Sequence, residues 1–277
     1  DPRAAITWRN WLNMVDGLDY NEIGEQDLTK NDVVQMMFGP GRFDVVGWVV
    51  DNAPALHTPG EVWNYSTAGL HLVGRALQSR LELGACSRSA NRRDRDALSP
   101  QTPCAPEVDI EMARWLEAEF FAPLGMDAQP EFDAEGTFLG GSLVWASARD
   151  FAKFGYLYLR DGVWEGERIL PEGWVDFART ESPAENVNVY GAGWWITPPE
   201  AVERSHRQAA KTCPCDTFSA GGHEGQTIWV VPSRDLVIVR LGLMQNNPEN
   251  WAALYEWNQS IARAFPEVRP NIDASRQ

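Results

Sequence analysis

Two short stretches of the sequence bring proton-carrying side chains onto tight turns beside regular structure. In the first, Pro59-Gly60-Glu61-Val62-Trp63-Asn64-Tyr65-Ser66-Thr67-Ala68-Gly69, a Pro-Gly turn delivers Tyr65 and Ser66 to the start of a helix. In the second, Gly221-Gly222-His223-Glu224-Gly225-Gln226 leads straight into a β-rich run at Thr227. Serine acyl transfer needs a nucleophile, a base to take its proton, and donors aimed at the developing oxyanion, and these stretches carry residue types suited to the last two roles. Each residue also has an ordinary reading: Tyr65 as an aromatic leading a helix, His223 as a hydrogen-bonded strand residue, and His57 and His71 as structural histidines.

The elements that must position these residues follow from hydrophobic spacing. Thr7 is placed to cap a helix with Trp8, Trp11, Leu12 and Val15 on one face, ended by Gly17. A second helix is expected from about Gly69 to Leu83, with Leu70, Val73, Leu77 and Leu81 on its apolar face, and a third near Asp109 to Phe121. Ser147-Ala148-Arg149-Asp150 reads as a capping box for a helix through Phe151, Phe154 and Tyr158. Beyond it, strands are expected at Gly193 to Thr197, then, after an insertion, at Thr227 to Pro232 and Leu236 to Leu243, the last two joined as an antiparallel hairpin. A final amphipathic helix through Trp251, Leu254, Tyr255, Asn258 and Ala262 is suited to cover a sheet face. Helices first and hairpin strands later imply an α/β or α+β architecture.

Taken in order, four of these segments resemble the class C β-lactamase, esterase and DD-peptidase family of serine hydrolases, with its relatives among 6-aminohexanoate-dimer hydrolases and D-aminopeptidases. They are Ile6 to Asp19 with its Met14-Val15-Asp16-Gly17-Leu18 turn, Pro59 to Gly74, Gly140-Gly141-Ser142-Leu143 with Ala148-Arg149-Asp150-Phe151, and Gly222 to Arg240. The resemblance implies a β-lactamase/transpeptidase-like fold, an antiparallel sheet flanked by helices with a helical subdomain, with residues 1–277 forming one catalytic domain. It implies that Tyr65 helps take and return the nucleophile's proton, that His223 stands where β-lactamases carry Lys, and that the backbone N–H of Gln226 serves the oxyanion. Tyr20 would line the cleft, Gly225 would let substrate approach the strand, and Thr67 stands where the family usually has Asn. Without that amide and without a lysine's fixed charge, recognition of an amide or a β-lactam carboxylate is weakened more than ester cleavage is.

The family's nucleophile is the Ser of a Ser-x-x-Lys motif. None is present: Ser66 leads to Gly69, Ser147 to Asp150 and Ser205 to Gln208. The resemblance places that motif upstream of the Ile6 to Gly17 helix, so the chain is expected to be N-terminally truncated and inactive alone, with an unfilled groove where the nucleophile helix belongs. The leading expectation is therefore a serine hydrolase acting on a small-molecule ester or amide through an acyl-enzyme. Its rival is an inactive relative that uses the cleft for binding or sensing.

Composition bounds the partners. The chain of 277 residues is 44% hydrophobic and 23% charged, a soluble globular balance, and its thirteen Trp suit clefts for organic substrates as well as cores. A net charge of −15 repels phosphate backbones and anionic lipid, so no nucleic-acid partner is expected. Apolar runs such as Val45 to Val50 fall far short of the roughly 20 residues that span a bilayer. The four cysteines sit in polar stretches: Cys86 and Cys104 flank a run rich in Arg, Asp, Ser and Pro, as if a disulfide closed a surface insertion over residues 84–108. Such a bridge would mean a periplasmic or secreted protein. Cys213 and Cys215, with His206 and His223, admit a zinc reading, but a lone Cys-x-Cys pair is an incomplete donor set; pairing or free thiols are favoured, and no cofactor is called for.

Overall fold

The computed structural model describes residues 1–23, 25, 27–90, 108–184, 189–196, 214 and 216–268, with the side chains of 82–90 and 108–110 left aside. The chain divides into two compact units, Asp1–Pro123 with Ala128–Trp145, and Leu124–Asp127 with Ala146–Gln277.

The first unit is mainly helical. Helix α1 (Trp8–Leu12) starts where the sequence says, with Thr7 and Asn10 forming a reciprocal cap. It stops four residues short of the expected Gly17, because Asn13 turns its amide back onto the Arg9 carbonyl (2.9 Å) and Met14 adopts a positive φ. Two helices then appear that apolar spacing did not reveal, α2 (Asp32–Met37), capped by Asn31, and α3 (Val45–Asn52), capped by Asp44. The run Val45 to Val50 has the β-branched composition of a strand. What makes it helical is its start: Asp44 accepts from Gly47 N–H (2.8 Å), and Asp133 accepts from Val45 N–H (3.0 Å). Leu18, Tyr20, Met36, Val45, Val49, Ala53, Ala68 and Leu139 close into the core of this unit.

Helix α4 (Thr67–Ala90) is the long element that follows Tyr65. The face expected to be its apolar stripe, Leu70, Val73, Leu77 and Leu81, is only half-buried. The fully buried face is Ala68, His71, Gly74 and Gln78, and polar atoms rather than methyl groups hold it in place. Gln78 donates to Gly136 O (2.7 Å) and accepts from Phe138 N–H (3.1 Å), while Gly141 N–H donates to His71 Nδ1 (3.3 Å). Gly140-Gly141 lies directly on the helix: a Cβ on Gly141 would sit 2.8 Å from Thr67 O, and one on Gly140 3.0 Å from Leu70 O. That contact explains the glycine pair as packing rather than chemistry.

Helix α5 (Val108–Leu116) continues through a π turn (Glu117–Phe121) into the short α6 (Ala122–Leu124), so the third expected helix is present but changes pitch midway. Strands β1 (Ala128–Pro130) and β2 (Val144–Ala146) pair with one another.

The second unit is a sheet covered on both faces. Helix α7 (Ala148–Leu159) opens on Ser147, whose Oγ accepts from Asp150 N–H (3.2 Å). A hairpin, β3 (Val163–Trp164) and β4 (Glu167–Arg168), and helix α8 (Trp174–Arg179) follow. Four antiparallel strands then pair in chain order: β5 (Trp195–Ile196), β6 (Phe218–Gly222), β7 (Gln226–Val231) and β8 (Leu236–Arg240). The expected β7–β8 hairpin is there, Thr227 opposite Arg240 and Val231 opposite Leu236. Strand β6 was not expected, since Phe218-Ser-Ala-Gly-Gly lacks the β-branched residues that mark a strand and owes its state to its neighbours. Side chains alternate across β7. Val230 joins Phe154, Tyr158, Trp194 and Phe218 on one side; Trp229 and Val231 meet Ile238 and Ala262 of helix α9 (Pro248–Ala264) on the other. The last helix thus covers a sheet face as its spacing implied.

Candidate functional site

The residues singled out in the sequence fall into two groups, one in each unit. In the first unit, a ribbon formed by residues 14–20 beside residues 53–64 carries the chain to Tyr65. Gly60 N–H donates to Val15 O (2.8 Å), Asn64 N–H to Met14 O (2.9 Å), and Leu56 and His57 N–H both donate to Gly17 O (2.9 and 3.0 Å). Ser66 is fully buried and caps α4, its Oγ accepting from Gly69 N–H (3.2 Å), so it is a structural serine.

Around Tyr65 the polar groups converge on a residue the sequence did not single out, Glu22. Thr67 donates twice to its carboxylate, from N–H to Oε2 (2.8 Å) and from the hydroxyl to Oε1 (2.7 Å). Thr67 therefore has its donor committed inside the protein, which weighs against the substrate-binding role anticipated for it. Asn64 Nδ2 donates to Tyr20 O (2.7 Å), tying the same loop to the residue before Tyr65. Tyr20 is 2% exposed, its hydroxyl 3.9 Å from the Met36 sulfur; it is a core residue, not the cleft-lining one expected. Burial, and then the negative charges of Glu22 and Asp32, push its phenol well above the usual range. Burial, with Glu22 second, pushes Tyr65 up to about 12, so its hydroxyl stays protonated at neutral pH. Glu22 itself is raised by burial, opposed by its two bonds from Thr67. Nothing local in the sequence ties Glu22 to a threonine 45 positions away, so no spacing argument could have found it.

Two further titratable groups of this unit lie buried nearby in the chain. Asp16 accepts from Leu18 N–H (2.9 Å) through Oδ1, but its Oδ2 has no hydrogen-bond partner among the described residues, and burial pushes its carboxyl up to about 6. His71 is fully buried; because Nδ1 accepts from Gly141 N–H, the proton resides on Nε2, which faces the Met37 sulfur (3.2 Å), and burial lowers it to about 4. The structural role expected for His71 fits this setting.

In the second unit, His223–Gly225 forms a single tight turn between β6 and β7, with positive φ at Glu224 and Gly225. The His223 side chain is 83% exposed, its Nε2 3.9 Å from Glu224 Oε1. It is a turn residue rather than a strand residue, open to whatever approaches that edge. Gly225 has two local reasons to be glycine: a φ of +80°, and the Arg240 Nη1 and Met244 Cε that a Cβ would meet at 3.0 Å. Arg240 packs against the backbone of this turn. It donates to Gly225 O (2.7 Å), Gly242 O (3.1 Å) and Leu243 O (3.2 Å), pinning the turn to the end of β8. Gln226 starts β7 opposite Gly222, and its side chain exchanges hydrogen bonds with Gly242, Nε2 to Gly242 O (2.7 Å) and Gly242 N–H to Oε1 (2.8 Å). Arg240, whose partners are backbone carbonyls, was missed for the same reason as Glu22: its partners are brought together only by the fold.

Among the described residues no group of three or more His, Cys, Asp and Glu side chains gathers as a metal would require, and no helix is long and apolar enough to cross a membrane. His206, Cys104, Cys213, Cys215 and the Cys86 side chain, and with them the insertion and the pairings expected there, lie outside what is described.

Comparison with known proteins agrees with the fold. The Beta-lactamase family model matches residues 3–258, across both units. The chain belongs to the Beta-lactamase family, a family of serine hydrolases. Over 126 residues it is 29% identical to the 6-aminohexanoate-dimer hydrolase of Paenarthrobacter ureafaciens, covering 42% of this chain and 29% of that one. A Bacillus anthracis protein provisionally named a 6-aminohexanoate-dimer hydrolase superposes with a TM-score of 0.59 at 17% identity, over 95% of this chain and 63% of that one. SurE, solved with D-Leu, gives 0.58 at 18% identity, over 98% and 58%. These structures share the β-lactamase/transpeptidase-like fold of helices and antiparallel sheet, and the chain spans less than two thirds of their lengths.

Proposed function

We propose that the chain is the greater part of a serine hydrolase that cleaves an ester or amide of a small molecule through an acyl-enzyme, its nucleophile supplied from outside these 277 residues. The reading rests above all on Tyr65, a half-buried phenol in the family's Tyr-Ser position just before α4, on a stretch held by the bonds of Asn64 to Tyr20 and of Thr67 to Glu22. A phenol held near 12 is a poor base at neutral pH. An ammonium beside it would favour phenolate, which is what the lysine of a Ser-x-x-Lys segment would contribute. The serine would then lose its proton toward Tyr65 as it attacks the carbonyl, and the leaving group would recover that proton from Tyr65. The backbone N–H of Gln226 is the proposed oxyanion donor.

The substrate reading is a neutral or hydrophobic acyl group. His223 provides an imidazole where a lysine's permanent charge would hold a carboxylate, and the Thr67 hydroxyl is spent on Glu22. The name of the matched curated relative adds 6-aminohexanoate dimer to the candidates. A bridge between Cys86 and Cys104, and with it a periplasmic or secreted location, belongs to the same proposal.

The test is to express the gene with its upstream coding sequence beside the 277-residue chain. Both would be treated with a fluorophosphonate label and assayed on nitrophenyl esters, D-amino acid amides, 6-aminohexanoate dimer and nitrocefin. The longer protein is expected to label at a Ser-x-x-Lys serine and to hydrolyse an ester or amide, and the shorter one to do neither. Nitrocefin as best substrate would overturn the neutral-acyl reading. A full-length gene without Ser-x-x-Lys, and no labelling, would overturn the hydrolase in favour of an inactive relative that binds.

A further inference from the structure

The loop of residues 20–22 joins two helix starts. On one side it is fastened to α2: Asp32 Oδ2 accepts from Asn21 N–H (2.7 Å), Asn21 O accepts from Asp32 N–H (2.8 Å), and Asn31 Nδ2 donates to Glu22 O (3.0 Å). On the other it is fastened to α4 by the Asn64–Tyr20 bond and the two Thr67–Glu22 bonds. Tyr65 lies in the chain between Asn64, the residue before it, and Thr67, two residues after it, and the loop grips both. A carboxylate at the first turn of a helix is also favoured by the open N–H groups and the helix dipole there.

We propose that Glu22 is the positioning residue for Tyr65: its carboxylate locks Thr67, two residues after Tyr65 at the head of α4, while setting a negative charge in the same cluster. This deepens the hydrolase reading, on which its catalytic meaning rests, but the contacts and the charge exist whether or not the protein is an enzyme. The charges acting on the two phenols of this cluster are Glu22, which opposes ionisation of both, and Asp32 and then Tyr65 once ionised, which add to the effect on Tyr20. Glu22 thereby keeps Tyr65 a proton donor until a cation arrives, and commits the Thr67 hydroxyl so that it offers a substrate no donor.

Glu22→Gln separates the two roles. A glutamine can still accept from Thr67 N–H through Oε1 and donate to the Thr67 hydroxyl through Nε2, keeping the lock while deleting the charge. Tyrosinate formation would be followed by difference absorbance between pH 9.5 and 11 in the 277-residue chain, with circular dichroism confirming the fold at each pH and Tyr65→Phe identifying the Tyr65 contribution. Deleting that charge is expected to lower the Tyr65 midpoint by about one pH unit, so several-fold more Tyr65 phenolate at pH 10.5. The Glu22→Gln thermal midpoint should stay near that of the parent, whereas Glu22→Ala should lower it. A purely structural Glu22 would change melting in both variants and leave Tyr65 ionisation where it was, and that result overturns the proposal. If Glu22→Ala does not fold, Glu22→Gln still decides. Because this readout needs no turnover, a failure of the hydrolase reading leaves it intact, and a failure here leaves the hydrolase reading standing.

Discussion

Asp16 and His71 pull the pH dependence of stability in opposite directions over the same range. Burial raises Asp16 from its usual value near 3.8 to about 6, so the folded state binds more protons than the unfolded chain between those values. Its contribution is complete below about pH 4 and is lost as pH rises through 6. Burial lowers His71 from 6.5 to about 4, so there the unfolded chain binds more protons; its contribution is complete above 6.5 and is lost as pH falls through 4. Each is worth on the order of 2–3 kcal/mol, and they nearly cancel. Asp16→Asn should therefore leave a chain whose urea midpoint climbs steeply from pH 4 to 6.5, and His71→Gln one whose midpoint falls over the same interval. Identical slopes in the parent and both variants would refute this account. Tyr65 and His223 could be named from the sequence because their motifs are contiguous. Glu22, Arg240 and the burial of Tyr20 could not, because each depends on partners from distant parts of the chain.

Helix α4 owes its placement to polar atoms. Gln78 satisfies a carbonyl and an N–H of the 136–138 turn in the buried face of the helix, so Gln78→Ala strands both, at a cost of about 2–4 kcal/mol read as a loss of denaturant midpoint with unchanged m-value. Gly141→Ala should cost about 1–3 kcal/mol through overpacking against Thr67 O, and should disturb the same Thr67 that Glu22 holds. Elements with a local signature were legible: the Thr7 and Ser147 caps, the β7–β8 hairpin and the periodic α9. Helix α3 and strand β6 were not, since one is a valine-rich run turned helical by its caps, and the other a glycine-rich run made a strand by what flanks it. The stripe of α4 was misjudged for a similar reason: apolar periodicity marks methyl groups, and this helix buries His71 and Gln78.

At the scale of the whole chain, the family match runs through both units, and each unit carries a core of its own. The overall class was legible because four ordered motifs span nearly the full length, while the substrate was not, since its determinants are single side chains on loops. A charge of −15 predicts no measurable affinity for duplex DNA by fluorescence anisotropy even at about 50 mM salt, where counterion release would favour a basic binder most. The registered face of α4 has a last consequence, for tolerance of added sequence. A helix fixed by His71, Gly74 and Gln78 has one admissible depth: a residue inserted between 67 and 78 rotates every later side chain by about 100° and unpairs them all. An insertion made past Leu81 leaves the register of that face as it is, and the sequence there turns to the Arg-, Ser- and Asp-rich stretch between Cys86 and Cys104.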